Sequence, residues 1–529
     1  MNDPISIRTY QPKSTMITRR KLISRLVGGG IAFSVASQIA DKALAADRRG
    51  GSVRLGLNGG NTSDSLDPAL PQDVFMASLG SAVRERLVEI DEDGRPAPAL
   101  AEEWDLSANA DALSFRLRKG VQFHNGKPVT TDDIIASINH HRGEGSKSPI
   151  KTLFDQIGDV RADGSHRINI ELKQRNADFI YYLGSYDAVV GPSSEGKVDW
   201  DSGIGSGPYT LDRFDPGIQA ELVRYDEYHR EDRGFLDRVS LIAINDDVAR
   251  ITAIMTGDVD LVSYVPPRLA NRLQEIPTIT VREVPSMLHY TIPMNTTAPP
   301  FDNHDIRMAL KLAIDRQAIL DKILSGHGHL GNDQPIARSQ AHFADLPQRP
   351  FDPEKAKFFV RKSGLGSLSV DLHVSDAAFA GAIDTAVLFA DSAKQSDINI
   401  RVVREPNDGY WSQVWRKKPF CFSWSGGRPT VDWMFSQHYA ATAAYNETSW
   451  NNERFNKLLL EARVETNEER RSDLYREMQL LVRDRGGAII PVYANHIMAH
   501  SSKVKLPDRK LGGIWTLDNY RTISTLSKA

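Results

Sequence analysis

Cysteine is nearly absent: Cys421 is the single one in 529 residues. One thiol can neither close an internal disulfide nor build a thiolate metal cluster, so a disulfide-stapled scaffold is excluded. An excess of either charge is also lacking, with 65 Lys and Arg against 68 Asp and Glu and a formal net charge of −3. Nucleic-acid binding driven by counterion release needs a basic face that this balance does not supply, so no nucleic-acid partner is expected. After Ala46 no uncharged run reaches the roughly 20 apolar residues of a membrane span, and no period of about 20–50 residues marks a solenoid or propeller. Catalytic signatures are missing as well: there is no Gly-x-Ser-x-Gly, no His-Glu-x-x-His, no phosphate-cradling Gly-x-x-x-x-Gly-Lys-Ser/Thr, and no dinucleotide fingerprint with its following acid. The glycine-rich stretch 203–207 runs into Pro208 and a strand-like 209–212, so it reads as a turn. Adjacent His140 and His141 would point about 100° apart on a helix and cannot hold one metal from one face. They read as solvated, and His124, His289 and His438 as isolated packing or surface residues. No catalytic residue, metal site or cofactor is expected, and the chain does not read as an enzyme.

What is present is ordinary globular composition, 40% hydrophobic and 25% charged, in a chain long enough to divide into two or three lobes, since single cores stop growing near roughly 250–300 residues. The first 45 residues stand apart. They carry seven basic groups (Arg8, Lys13, Arg19, Arg20, Lys21, Arg25, Lys42), two acids (Asp3, Asp41) and a small-residue and apolar stretch over 26–40. Thr18-Arg19-Arg20-Lys21-Leu22-Ile23 resembles the twin-arginine export signal, and Ala43-Leu44-Ala45 presents the small-x-small pattern of a signal-peptidase site. We expect a signal peptide over 1–45, cleavage near Ala45 or Ala46, and a soluble, acidic, periplasmic product.

The body alternates strands and helices, an α/β pattern. Period-two alternation predicts strands at 52–57, 113–117, 167–172 and 398–403. Helix starts are marked at Thr131-Asp132-Asp133, Asp315 and Asp352-Pro353, with Gly326 and Gly364 placed as left-handed stops. A helical pair is predicted over 455–463 and 468–482. Recognition chemistry concentrates in Tyr410-Trp411 and in Trp424-Ser-Gly-Gly-Arg-Pro-Thr-Val-Asp-Trp433. Aromatic faces bury area cheaply, glycines let a ligand meet the backbone, and an arginine fork matches a carboxylate or phosphate. The alternative is that Trp424 and Trp433 are core residues and Arg428 a solvated turn residue.

Several blocks occur together and in order. Residues 87–104 run from Leu87-Val-Glu-Ile to Glu-Glu-Trp104; 115–134 hold Gly120, Phe123, Gly126-Lys-Pro and Asp132-Asp133. Gly205-Ser-Gly-Pro-Tyr-Thr210, Arg224-Tyr-Asp-Glu-Tyr228, Met294-Asn-Thr, Pro300-Phe301 and Arg307-Met-Ala-Leu-Lys-Leu-Ala-Ile-Asp-Arg316 follow. With these the chain resembles the extracytoplasmic solute-binding proteins of peptide- and nickel-type (family 5) ABC importers over 50–529. The resemblance implies an α/β, two-lobed periplasmic-binding-protein fold of class II, cluster C type, with an extra accessory domain. Lobe I would comprise 46–83, 206–273 and 490–529, the accessory domain 84–205, and lobe II 274–489. It further implies a monomer that closes on a peptide or peptide-like solute and delivers it to permease subunits, with Trp424, Gly426, Gly427, Arg428 and Asp432 in the pocket and Tyr410 and Trp411 nearby. In peptide-binding relatives an aspartate after a Trp-x-Gly segment anchors the α-ammonium group. Here Gly427 falls at that place with Arg428 beside it, which points toward an anionic group, as in opine-like molecules or sugar phosphates. Asp432 could serve instead, or could open a helix at Trp433.

Overall fold

The computed structural model describes residues 48–529. The leader expected over 1–45 and its cleavage point lie outside the described residues. Three sheets organise the chain. The first has seven strands in the order Tyr209–Asp215, Gln219–Arg224, Arg238–Ala243, Ser52–Leu57, Leu261–Val262, His496–Ser501, Ile279–Val284. Its Ser52–Leu57 strand runs parallel to both neighbours and the remaining pairs are antiparallel. Leu55, Leu57, Leu222, Leu241 and Met498 fill its core under the helix Val74–Val83.

The second sheet orders Gly328–Leu330, Val492–Ala494, His289–Pro293 and Ser423–Ser425, with Ala488–Ile489 on His289–Pro293. Beside it the parallel pair Leu368–Val374 and Ile398–Arg404 connects through a bridge from His373 to Cys421. The third sheet is an antiparallel four-stranded layer, Ala101–Leu106, Ala112–Leu117, Arg167–Leu172, Ile157–Ala162. Its apolar cluster does not end at its own border: Phe115, Phe179 and Tyr182 are continuous with Trp433, Met287, Ile514 and Trp515 from the other two regions.

Local chemistry accounts for the elements. The helix Thr131–His140 is opened by Thr130 and Asp133 in a reciprocal capping box, and Asp315 and Asp352 cap Arg316–Lys322 and Pro353–Lys362. The first of these starts one residue earlier in its cap than the Thr131 start signal, and the Asp315 helix ends at Lys322, short of Gly326, because Ser325 already turns left-handed. The C-terminal pair spans Glu453–Val464 and Glu468–Arg485.

Two pairings cross the stretches expected for the lobes. Ile279–Val284, numerically in the second-lobe stretch, adds to the first sheet, and Val492–Ala494, numerically in a first-lobe stretch, adds to the second. The chain therefore passes between sheets just after Val284 and just before His496. Of the two histidines expected to be solvated, His141 is instead buried against Ser148, while His140 is part-exposed and lies 2.6 Å from Asp67. Among the described residues no helix is long and apolar enough to cross a membrane.

Candidate functional site

The segment 424–433 leaves the second sheet as an edge strand and re-enters the fold as a helix. Trp424 pairs in register with Tyr290, whose own ring is buried and stacks on Phe379 at 3.6 Å, while Trp424 is 45% exposed. Thr430 accepts from the Trp433 amide and starts the helix Val431–His438. Between strand and helix lies the Gly426-Gly427-Arg428 turn. Gly426 holds the Trp424 ring and the Arg428 guanidinium on either side of it, since a Cβ there would sit 3.6 Å from one and 3.8 Å from the other.

Gly427 is packed, not open. A Cβ would fall 2.4 Å from Met287 Cβ and 3.1 Å from the Ile514 carbonyl, so the backbone there has no room for a carboxylate side chain. Arg428 is locked by its own helix: Nε donates to Gln437 Oε1 at 2.6 Å, and Nη1 donates to the Gly426 and Gly427 carbonyls at 3.3 and 2.9 Å. Gln437 is itself fixed by the Trp433 indole N–H at 3.1 Å. Arg428 Nη2 faces His438 Nε2 at 3.4 Å, and no carboxylate lies within ion-pair distance of the guanidinium among the described residues. Its positive field acts on neutral partners. Burial and then Arg428 hold His438 well below the ordinary imidazole range, while burial outweighs a hydrogen bond to the Met287 carbonyl and takes His289 down to about 4. A part-buried guanidinium with one Nη2–H to spare and no anion is a place where an anionic group gains a charge-assisted hydrogen bond.

The remaining expected residues divide. Asp432 is wholly buried and is employed by the scaffold: it accepts from the Tyr182 hydroxyl of the accessory region, pairs with Arg463 Nε at 3.0 Å and takes the Ser436 hydroxyl at 3.3 Å. It sits in the helix's first turn, where a carboxylate also meets the positive end of the dipole. Trp433 is core. Tyr410 is buried and donates to the Phe422 carbonyl at 2.8 Å, whereas Trp411 is 40% exposed. From Trp411 a file of rings leads inward through Trp415 and Tyr445 to His438, with successive centroids 5.9, 6.2 and 5.4 Å apart.

Sequence reasoning missed the opposite wall. Tyr186 makes edge contacts with Trp515 at 5.3 Å and Tyr520 at 5.2 Å, and Trp515 reaches Trp433 at 6.4 Å. Leu517, Asp518, Asn519 and Tyr520 all have positive φ, 52 to 62°, a conformation costing about 1–2 kcal/mol for each side-chain-bearing residue. Buried hydrogen bonds offset that cost. Asp518 accepts from Arg509 Nη2 and the Gly512 amide, both at 2.7 Å, and Asn519 Oδ1 accepts from the Ile514 and Trp515 amides at 3.1 and 3.0 Å. The left-handed turn thus presents Trp515 and Tyr520 beside Tyr186. No motif spacing announces residues drawn from three such distant stretches.

The chain was compared with known proteins. A family model described as "Bacterial extracellular solute-binding proteins, family 5 Middle" matches residues 95–446. Di/tripeptide-binding protein 3 of Pseudomonas aeruginosa is 25% identical over 439 residues, 75% of this chain and 81% of that one. Heme-binding protein A of Haemophilus influenzae is 26% identical over 466 residues, 80% and 84% of the two chains. Among solved structures, the periplasmic binding protein DppA of Helicobacter pylori with the peptide STSA superposes with a TM-score of 0.80 at 20% identity, covering 92% of this chain and 99% of that one. AgaA with agropinic acid, from A. tumefaciens R10, gives 0.79 at 21%, covering 90% and 99%.

Proposed function

The chain belongs to the bacterial extracellular solute-binding proteins of family 5, and from that premise we propose that it captures a peptide or peptide-like small solute bearing an anionic group. The solute is held between the lobes at Arg428 and passed chemically unchanged to the permease subunits of an ABC importer. The observation that carries the anionic group is the unpaired Arg428 guanidinium, fixed by Gln437 and flanked by the exposed Trp424 ring. Trp411 and the ring file to His438 extend this wall. Asp432 and Tyr410 support it from behind. Export with cleavage near Ala45, a monomeric state and the absence of catalysis belong to the same reading. Closure follows from differential affinity: a solute touching residues on both sides stabilises the shut arrangement by the contacts that only it provides.

A second occupant has a specific observation in its favour. The close approach of Gly427 to Met287 removes the place where a peptide-anchoring aspartate would stand, which suits a non-peptide anionic solute, opine-like or a sugar phosphate. Similar proteins include ones described as binding di/tripeptides, glutathione, heme and agropinic acid, so the fold accommodates either. Mass spectrometry of the solute released from gently purified protein identifies the occupant. Arg428→Ala should then weaken its binding by about 1–3 kcal/mol, roughly 5- to 150-fold by calorimetry. An affinity unchanged by the substitution removes Arg428 from the site, and conversion of the solute to a product overturns the binding-protein reading.

A further inference from the structure

Opposite Arg428 stands a carboxylate with no evident structural employment. Asp187 lies in the accessory region directly after Tyr186 and is 3% exposed. Its Oδ2 accepts from the Ser185 hydroxyl at 3.1 Å, but its Oδ1 is buried with no hydrogen-bond partner, and no cation lies within ion-pair distance among the described residues. Nearby Arg86 does not fill this need, because its Nε donates to the Ser185 carbonyl at 2.9 Å and its Nη2 to Ser81 Oγ at 2.6 Å. An unpaired oxygen of this kind is costly to bury and is retained where something else supplies the missing donor.

The surroundings point to a ligand as that donor. The electrostatic neighbours of Asp187 are Arg428 from the second lobe and Arg86, and its own field reaches Tyr186, Tyr445 and Tyr520. Arg86 aside, these come from three separate stretches of the chain and belong to the walls of the site described above. Two further buried polar atoms among them lack partners: the Trp515 indole N–H and His289 Nε2. His289 must carry its proton on Nδ1, which donates to the Met287 carbonyl at 3.0 Å, so its Nε2 is a bare acceptor. Glu447, the other acid among these rings, differs in being supplied by Trp415 Nε1 at 3.2 Å and the Thr291 hydroxyl at 3.4 Å.

We propose that Asp187 is the cation-recognising residue of the site, so that the transported solute is zwitterionic, with a protonated amine on Asp187 and a carboxylate or other anion on Arg428. The inference rests on the reading that the solute lies at Arg428, and deepens it. It also supplies what Gly427 cannot: an ammonium anchor from the accessory domain in place of one from the second lobe. An anionic solute without an amine would leave Asp187 unpaired and repelled by the incoming charge, which gives selectivity by exclusion as well as by attraction.

The test uses full-length mature protein and a matched set of probes: L-alanyl-L-alanine, glycine-containing dipeptides and free amino acids, each beside its N-acetylated form, and succinate as a carboxylate without an amine. Calorimetry on the wild type should show free-amine probes bound at least about 10-fold more tightly than their acetylated counterparts. Asp187→Asn keeps the shape and the Ser185 contact, and should abolish that preference while Arg428→Ala still weakens both members of each pair. Equal binding of amine and acetylated probes by the wild type, or a preference that survives in Asp187→Asn, overturns the assignment and leaves the Arg428 site standing. Binding by no probe of the set, or binding insensitive to Arg428→Ala, overturns the Arg428 site and the Asp187 assignment with it.

Should Asp187→Asn fail to fold, the wild type alone decides through pH. Burial pushes the Asp187 carboxyl up to about 7. Arg86, lowered to about 10, stays charged beside it, while buried His141 (lowered to about 3) and the tyrosines Tyr186, Tyr445 and Tyr520 (raised) stay neutral. A dipeptide's own α-ammonium, near about 7.7–8.0, is only partly protonated at pH 8, so affinity for it should fall about 10- to 15-fold from pH 8 to pH 5.5, with the acetylated probe flat. A flat profile for both overturns the proposal.

Discussion

Asp432 separates a scaffold role from a ligand role, because its carboxylate is the meeting point of the accessory region and the second lobe. Replacing it by alanine strands two groups. The Tyr182 hydroxyl loses its acceptor in a fully buried setting, and Arg463, whose side chain is 12% exposed, keeps its charge with only the Ser436 hydroxyl for company. Removing one partner of a buried ion pair costs about 3–5 kcal/mol, mostly through the uncompensated charge left behind. Tyr182→Phe is milder. It deletes one hydrogen bond to a carboxylate that retains Arg463 and Ser436, about 1.5–3 kcal/mol. Since hydroxyl and carboxylate are in direct contact, the two losses should not add, and the double variant should show a coupling of about 1.5–3 kcal/mol. Urea unfolding of the four proteins without ligand measures each quantity, and calorimetry on folded Asp432→Ala should still find the solute bound. An Asp432→Ala variant within about 0.5 kcal/mol of wild type, or additive single losses, would refute the scaffold role. Lost binding in a protein of unchanged stability would return Asp432 to the pocket.

Two other outcomes follow from the same packing. Gly427→Asp, which on the Trp-x-Gly alignment alone would restore an ammonium anchor, should instead lower stability by about 1–3 kcal/mol through overpacking against Met287. It should gain no affinity for free-amine dipeptides; a normally stable variant that binds them more tightly would show that the turn can move. Stability should also fall on acidification below about pH 6.5. His141, His289, His438 and His496 are buried neutral with lowered values, to about 3 for His141 and about 4 for His289 and His496, so the unfolded chain takes up protons that the folded one refuses. Asp187 and Glu447, raised to about 7, and Asp178, raised to about 6, act oppositely, because the folded chain keeps their protons down to the ordinary carboxylate range. These four histidines against three acids already leave about one proton in favour of unfolding between pH 6 and 4.5, and His124, His329, His342 and His500, also lowered by burial, add to it, so the slope is at least about 1.4 kcal/mol per pH unit. Denaturation midpoints that rise monotonically as pH falls through that window would contradict it.

Much of the framework could be read from residue order, because it is governed by neighbours. Alternation at 167–172 made a strand and Asp352-Pro353 opened a helix, since side-chain period and capping act within a few residues. The aromatic, glycine and arginine stretch 424–433 was equally visible as a concentration of recognition chemistry. What each of its side chains does was not. Trp424 and Trp433 are nine positions apart and of one type, yet one is open and the other is core: Trp424 lies on an edge strand, whereas Tyr182 and Trp515 pack their rings against Trp433. Asp432 was drawn into a buried pair by Arg463 and by Tyr182, 250 residues away in sequence. Asp187 carried no motif at all.

Sequence alone determined many of the elements and the family, because propensity, capping and turn geometry are short-range. Only the tertiary structure decided which charges are paired and which are left open, since pairing depends on what distant segments bring within hydrogen-bond reach. Arg428 and Asp187 stand without an ion-pair partner among the described residues for that reason, and the roles proposed for them rest on it.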